Sequence, residues 1–458
     1  MSQKSHKKKT LLPKLRFPEF KGDGEWSETP LSSLSKRIRR KVGTKKLTPV
    51  SITAGLGFVD QTKKFGRRIA GKQYKNYIHI QSGDFVYNKG NSKTFPQGCI
   101  YQLKEFEEAA ASTAFICFKL NGSCVDHYFQ SLFEYNAHGE KLLKFITSGA
   151  RSDGLLNINP TDFFSIVLPL TPRKEEQQKI ADCLSSLDDL LTAHSAKLDA
   201  LQDHKKGLLQ QLFPGTPTSS SAIKKNAGED TGAPRQTSPA LRFPEFEGKW
   251  DSESMASLYT FIPTNSFSRD KMNDNAGEIR NIHYGDIHKN IPTLLNLQIT
   301  SLPRINDSVS LKKFKERSFC KNGDVIFADA SEDVDDIGKS IEIVNTGGFQ
   351  VLSGLHTIHA RQKKTRFVVG FAGYLFCTSR IRSQIQRESQ GTKVLGISVS
   401  RLSTIDVCFP REKREQQKIA DCLSALDDLI TAQTKQIAAL KEHKKGLMQQ
   451  LFSTGDSV

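Results

Sequence analysis

Two stretches of this chain nearly repeat each other, and the repeat constrains the fold more than any other feature. Glu176 to Phe213 and Glu415 to Phe452 align without a gap, 239 positions apart, and match at 27 of 38 positions. A second pair of markers, Leu-Arg-Phe-Pro-Glu-Phe, begins at Leu15 and again at Leu241. Between the repeated markers the two halves largely differ. An internal repeat sets architecture before any local reading does. Here it describes one frame used twice around two different inserts, the layout of a two-headed adaptor.

The repeated stretch is helical by its period. Ile180, Leu184, Leu187, Leu191, His194, Leu198, Leu201, Lys205, Leu208 and Leu212 follow alternating steps of four and three. Ile419, Leu423, Leu426, Ile430, Gln433, Ile437, Leu440, Lys444, Leu447 and Leu451 repeat the pattern. A two-per-seven seam with charged flanks suits a pair of helices better than a helix lying on a sheet, although each helix packing on its own domain is the competing reading. Each helix of this length spans about 57 Å at 1.5 Å per residue. If a two-fold axis relates the halves, the helices run antiparallel. Pairing residues whose numbers sum to 631 then sets Ile180 against Leu451, His194 against Ile437, Leu198 against Gln433 and Leu212 against Ile419. The polar seam positions, His194 with Gln433 and Lys205 with Lys444, weaken the seam and fix its register.

The chain is expected to divide into a basic tail (1–13), a first globular domain (14–172), a long helix (173–213), a Pro/Ser/Thr/Gly-rich linker (214–240), a second globular domain (241–410), a second long helix (411–453) and a short tail (454–458). The expected class is α+β: two globular domains separated by a two-helix antiparallel coiled coil, with an internal pseudo-two-fold repeat. Both inserts show Gly-Asp turns leading into strands, Gly83-Asp84 before Phe85-Val86-Tyr87 and Gly323-Asp324 before Val325-Ile326-Phe327. Thr113 to Phe118 alternates like a strand. Helices are expected over Val125 to about Thr147 and Val368 to about Glu388, each followed by a glycine and a basic residue, Gly149 with Arg151 and Gly391 with Lys393. The inserts therefore read as distant versions of one fold.

Lys and Arg number 66 against 49 Asp and Glu, a net charge of +17, which favours a polyanionic partner, nucleic acid ahead of an acidic membrane. Residues 36–75 hold thirteen basic side chains and one acid, Asp60, interleaved with aromatic residues. Such a mixture supplies phosphate contacts and base-edge contacts together, although a plain solvated basic face has the same composition. The candidate DNA-binding residues of the first insert are Lys63, Lys64, Arg67, Arg68, Lys72, Tyr74, Lys89, Asn91, Lys93 and Arg151. Those of the second are Arg280, His283, Tyr284, Lys312, Lys313, Lys315, Lys363, Lys364 and Lys393. The acidic run from Ser331 to Asp336 reads as an exposed loop, with repulsion of phosphate or hydrogen bonding to cytosine amino groups as alternatives.

No run reaches the ~18 apolar residues of a membrane span, and no secretory signal follows the Lys-rich start, so a cytoplasmic location is expected. The eight cysteines include no C-x-x-C pair and read as small core residues in a reducing compartment. Catalytic motifs fail on inspection. Gly338-Lys339-Ser340 lacks the earlier glycine of a phosphate-binding loop, where Asp333 stands instead. Glu19-Phe20-Lys21 becomes Glu245-Phe246-Glu247 in the second copy, and His356-x-x-His359 is poorly spaced for a metal on a strand. Neither a catalytic nor a metal site is expected.

Taken together, the two Glu-Gln-Gln-Lys-Ile-Ala-Asp-Cys-Leu-Ser helices, the two Leu-Arg-Phe-Pro-Glu-Phe openings followed by Trp26 and Trp250, and the phrases Gly83 to Lys89 and Ile282 to His288 resemble the specificity subunit of a type I restriction–modification system. The resemblance covers nearly the whole chain. It implies two target-recognition domains, each reading one half of a bipartite, asymmetric site in double-stranded DNA. It further implies helices that space the readers and dock two modification (methyltransferase) subunits, with motor/nuclease restriction subunits joining the complex. S-adenosylmethionine, ATP and Mg would sit on those partners, with no cofactor and no catalysis in this chain. A fused restriction–methylation enzyme would need motifs for which there is no room. A standalone two-headed DNA-binding protein without restriction partners is the other reading.

Overall fold

The computed structural model describes residues 11–53, 55–66, 71–90, 95–146, 156–215, 238–289 and 291–452. It divides into two units, one formed by Met1–Ala196 with Thr434–Val458, the other by Lys197–Gln433. Both divisions fall inside the long helices, Lys174–Gln211 and Lys413–Phe452. Each unit therefore holds the start of one long helix and the end of the other.

The first unit opens with strand Ser27–Pro30, which pairs antiparallel with Val167–Leu170 immediately before the long helix. A sheet then runs in the order Ser35–Arg37, Ile116–Leu120, Phe85–Asn88, Cys99–Gln102, all antiparallel. A second sheet contains Gly57–Asp60, Thr48–Thr53, Glu108–Ala111 and Ile78–Gln81, with Thr48–Thr53 and Glu108–Ala111 parallel. The second unit repeats this plan. Asp251–Ser254 pairs with Asp406–Phe409, and a sheet runs Tyr259–Ile262, Thr357–Gln362, Val325–Ala328, Ser340–Asn345, with Leu294–Asn296 added at its edge. Its other sheet again contains a parallel pair, Arg280–Ile282 with Val351–Ser353. Both Gly-Asp turns lead into strands as the sequence indicates. Asp84 and Asp324 each accept a hydrogen bond from the backbone N–H three residues back, of Gln81 at 2.8 Å and Lys321 at 2.7 Å.

The helices expected after Val125 and Val368 form, but each is broken in two. Asp126–Glu134 and Ala137–Leu143 are separated by Asn136, whose φ of 67° ends the first helix and caps the second. Phe371–Leu375 and Ser379–Glu388 are separated at Thr378, which is extended (φ −65°, ψ 148°) and restarts the helix. Asparagine tolerates the left-handed region and threonine favours the cap, so both breaks are local choices that an apolar pattern does not show.

The long-helix seam is as the four–three pattern requires. Ile180 and Leu184 are buried in the first helix and Leu212 just past its end, and Ile419, Leu423, Leu426, Gln433, Ile437, Lys444 and Leu451 are buried in the second. The other seam residues are half-buried, whereas Asp189, Leu190, Thr192 and Ala193 between them are exposed. Within the first unit Lys444 Nζ reaches Asp188 at 2.7 Å, and Ile180, Ala181 and Leu184 share a core with Met448, Leu451 and Phe452. Within the second, Lys205 pairs with Asp427 at 2.5 Å. Both pairs run antiparallel and lie one residue from the facing positions expected for these lysines, Leu187 and Leu426. The linker expected at 214–240 lies outside the described residues except at its ends.

Candidate nucleic-acid interface

The repeated markers recur because they grip each other. Arg16 of the first Leu-Arg-Phe-Pro-Glu-Phe donates through Nε and Nη2 to the two carboxylate oxygens of Glu176, each at 2.8 Å, with both side chains almost fully buried. Arg242 does the same to Glu415 at 2.8 and 2.7 Å. One residue further along each helix, Gln177 and Gln416 accept from the backbone N–H groups of Val125 and Val368, both at 3.0 Å. Two residues further, Lys179 and Lys418 pair with Glu19 and Glu245. Each Glu-Gln-Gln-Lys run is thus a three-point clamp: a bidentate ion pair, a main-chain hydrogen bond and an outer salt bridge. The copies differ in detail. Trp250 Nε1 donates to Glu415 at 3.2 Å, whereas Thr171 Oγ1 donates to Glu176.

The end of each helix plugs a core. Leu212 and Phe213 lie among Trp250, Phe371 and Leu375, and Leu451 and Phe452 lie among Tyr128, Phe129 and Leu132. The polar seam lysines are held by side chains outside the long helices as well. Lys444 reaches Glu134 at 2.7 Å as well as Asp188, and Lys205 stands over the Tyr374 ring at 5.4 Å.

The candidate DNA-contacting residues fall into three groups. Lys63 and Lys64 are exposed on the short helix Gln61–Phe65, where Lys64 donates to Thr53 Oγ1 at 2.8 Å. Lys312, Lys313, Lys315, Lys363, Lys364 and Lys393 are exposed in the second unit. Lys313 lies over the rings of Phe267 and Phe314, and Lys363 is tied to the carbonyl of Ala256 at 2.7 Å. A second group is engaged inside the domains. The Tyr74 hydroxyl accepts from Leu47 N at 2.6 Å and donates to the carbonyls around it, so it pins a loop. Arg280 is buried, with its guanidinium 3.5 Å over the Phe349 ring. His283 is buried, accepts from Gly285 N at 3.2 Å, and has its pKa pushed down by that burial. Tyr284 is half-buried beside it, and Lys89 is half-buried with its carbonyl bonded to Leu156 N at 2.9 Å. The third group, Arg67, Arg68, Asn91, Lys93 and Arg151, lies outside the described residues, as does the Lys72 side chain.

Cys320, Asp324 and His359 bring metal-ligand atoms within 4.8 Å of one another, all buried. Asp324 is fully committed elsewhere: it accepts from Arg361 at 2.9 and 2.6 Å, from Lys321 N, and lies 2.8 Å from His359 Nε2. A guanidinium occupies the place a cation would need, so this cluster is a network tying strands together. His356, by contrast, lies outside the strand and faces a different carboxylate, Asp329, at 3.2 Å. The two histidines of the His-x-x-His spacing thus serve separate partners. Among the described residues, no helix is long and apolar enough to cross a membrane.

Comparison with known proteins agrees with this architecture. Residues 39–203 and 306–442 match the family described as the type I restriction modification DNA specificity domain. The specificity subunit of the type I restriction enzyme MjaVIII from Methanocaldococcus jannaschii is 21% identical over 315 residues, covering 68% of this chain and 66% of that protein. The putative MjaX specificity subunit from the same organism is 20% identical over 380 residues, 81% of this chain and 78% of that one. The crystal structure of the S subunit of a type I restriction–modification system from M. genitalium superposes with a TM-score of 0.52 at 12% identity, covering 98% of this chain and all of the other. A chain from a structure describing assembly and conformational transition of the type I R-M system gives 0.53 at 14% identity, over 93% and 97% of the two chains. With two thirds of its length matched by the family model and the same doubled plan in its structure, this chain belongs to the type I restriction modification DNA specificity family.

Proposed function

We propose that this chain is the sequence-specific DNA-binding specificity subunit of a type I restriction–modification complex. Each recognition domain reads one half of a bipartite, asymmetric site in double-stranded DNA. The paired helices set the number of unread base pairs and dock two methyltransferase subunits, with motor/nuclease subunits joining them in the cytoplasm. Adenine methylation and cleavage, with S-adenosylmethionine, ATP and Mg, belong to those partners, and this chain contributes recognition. The observation that carries the reading is the clamp that recurs with the same residue types around two different domains. It is what a chain needs to present two separate specificities from one scaffold. The exposed lysines at 63 and 64, and at 312, 313, 315, 364 and 393, are the proposed phosphate contacts, which position a protein on DNA without reading sequence. Methylome sequencing of a strain with and without this chain tests the proposal. The expected result is loss of one bipartite motif on deletion and its return on complementation. An unchanged methylome in a strain whose methyltransferase subunits are expressed would refute it.

A further inference from the structure

The two recognition domains can be compared position by position at the end of their central strands, and one position reverses charge. The strand after each Gly-Asp turn, Phe85–Asn88 in one unit and Val325–Ala328 in the other, takes the same place in its sheet. The next residue is Lys89 in the first and Asp329 in the second. The two backbones are held alike: Leu156 N donates to the Lys89 carbonyl and Ile397 N to the Asp329 carbonyl, both at 2.9 Å. A shared backbone bond with opposite side-chain charges is not what a purely structural position needs.

Around Asp329 the second unit builds an open depression of about 450 Å³, lined by His356, Gln390, Leu395 and Arg401 among others. Three separate chain segments meet there. Asp329 N donates to the His356 carbonyl at 3.1 Å, and the hairpin closed by reciprocal bonds between Gln390 and Gly396 rests against the same strand end. His356 has a φ of 53°, and with Asn136 it makes up the non-glycine residues at positive φ among those described. Strained backbone that persists is a mark of functional sites. The conformation leaves the imidazole side chain half exposed, 3.2 Å from Asp329 and 5.2 Å from the Tyr284 ring. The carboxylate of Asp329 retains about a third of its exposure. The Asp329 carboxylate and the His356 imidazole thus lie together at an opening also lined by Gln390 and Arg401, the latter held by Glu388, and carboxylate and imidazole supply an acceptor and a donor for base edges.

We infer that Asp329, positioned by His356, is a base-selecting residue of the second recognition domain, and that Lys89 is its counterpart in the first. A carboxylate accepts from the cytosine amino group and a lysine donates to guanine O6 or N7, so the two positions select opposite bases. The inference rests on the proposed DNA-reading function and adds which residue of each domain does the selecting.

Methylomes of strains carrying the full chain with its methyltransferase partners test it. Asp329→Ala is expected to relax one position of one half-site, lowering discrimination there roughly 10- to 100-fold, while the other half-site stays intact. Lys89→Ala should relax one position of the opposite half-site. His356→Gly suits the observed φ, so it removes the imidazole without the backbone conflict another residue would bring. It should blur the same position as Asp329→Ala. An unchanged motif in Asp329→Ala and Lys89→Ala would overturn the inference while leaving the DNA-reading function standing. Loss of all methylation in both Asp329→Ala and His356→Gly would also overturn it, by assigning these residues to the fold. Absence of any motif with the unaltered chain would instead refute the function itself.

Discussion

The clamp between Arg16 and Glu176 offers a sharp energetic test. Both side chains are almost inaccessible, at 6% and 1% exposure, and Arg16 also donates to the Gly24 carbonyl at 2.6 Å. Replacing Arg16 by Met keeps most of the volume but leaves the Glu176 carboxylate buried with Thr171 as its remaining side-chain donor. Breaking one partner of a buried pair costs about 3–5 kcal/mol, whereas replacing both by apolar groups of similar size is often neutral. Arg16→Met should therefore cost about 4 kcal/mol, and Arg16→Met with Glu176→Met should recover most of it. For a unit of this size, ~2–4 °C per kcal/mol predicts a fall in Tm of roughly 8–16 °C. The chain supplies its own reporters, because Trp26 is buried in the first unit and Trp250 in the second. With Trp250→Phe in the background, fluorescence follows Trp26 and hence the damaged unit. With Trp26→Phe, it follows the other. The expected result is a large shift in the Trp26 transition and little in the Trp250 transition. A shift below ~1 kcal/mol in the single variant, or a double variant no better than the single, would refute this account of the clamp.

Three further outcomes are expected. Lys444→Met should change stability by less than ~1 kcal/mol, because its partners Glu134 and Asp188 keep nearly half their exposure and can rehydrate, as double-mutant cycles with either acid would measure. Glu342 has no exposure, and burial pushes its pKa up to about 7 despite hydrogen bonds from Gly370 N and Gly373 N. A carboxyl raised in the folded state stabilises fully below its unfolded pKa of ~4.5 and loses that contribution as pH rises to about 7; the Tm of the wild type relative to Glu342→Gln should fall over that window by the equivalent of about 3 kcal/mol, and a flat difference would count against it. Adding a heptad after His194 and another after Ile437 keeps the seam in register and lengthens each helix by ~10.5 Å, about three base pairs, so residual methylation should favour a wider gap between unchanged half-sites; efficient methylation at the original gap would show that the helices are not the ruler.

The long helices and the doubled plan were legible because period and repetition are properties of sequence alone. Lys205 and Lys444 were legible as polar interruptions of the seam, but their acidic partners, Asp427 and Asp188, were not, because the pairing by number set each lysine against a leucine one residue away. The clamp itself was hidden in plain view. Both of its halves were repeated, yet nothing in the spacing of Arg16 and Glu176, 160 positions apart, says that they touch. Charge and aromatic counting also ranked Tyr74 and Arg280 with the surface residues. Their side chains are recruited by neighbouring backbone carbonyls and by the Phe349 ring, competition that composition cannot register. Asp329 stands alone next to a more conspicuous acidic run, so composition does not single it out, whereas aligning the two Gly-Asp phrases one residue past the strand sets it against Lys89.

The core of the first unit includes Met448, Leu451 and Phe452, while the rest of its buried residues come from before 190. A ribosome making 5–20 residues per second needs roughly 10–50 s to travel from one to the other. During that interval the slot beside Tyr128 has no native occupant from its own chain, although the second unit, whose core residues all fall between 212 and 423, can already close. The half of the protein that is synthesised first is therefore the half that finishes folding last. A ribosome stalled between the two recognition domains would leave an open apolar slot on the nascent chain, a natural substrate for chaperones.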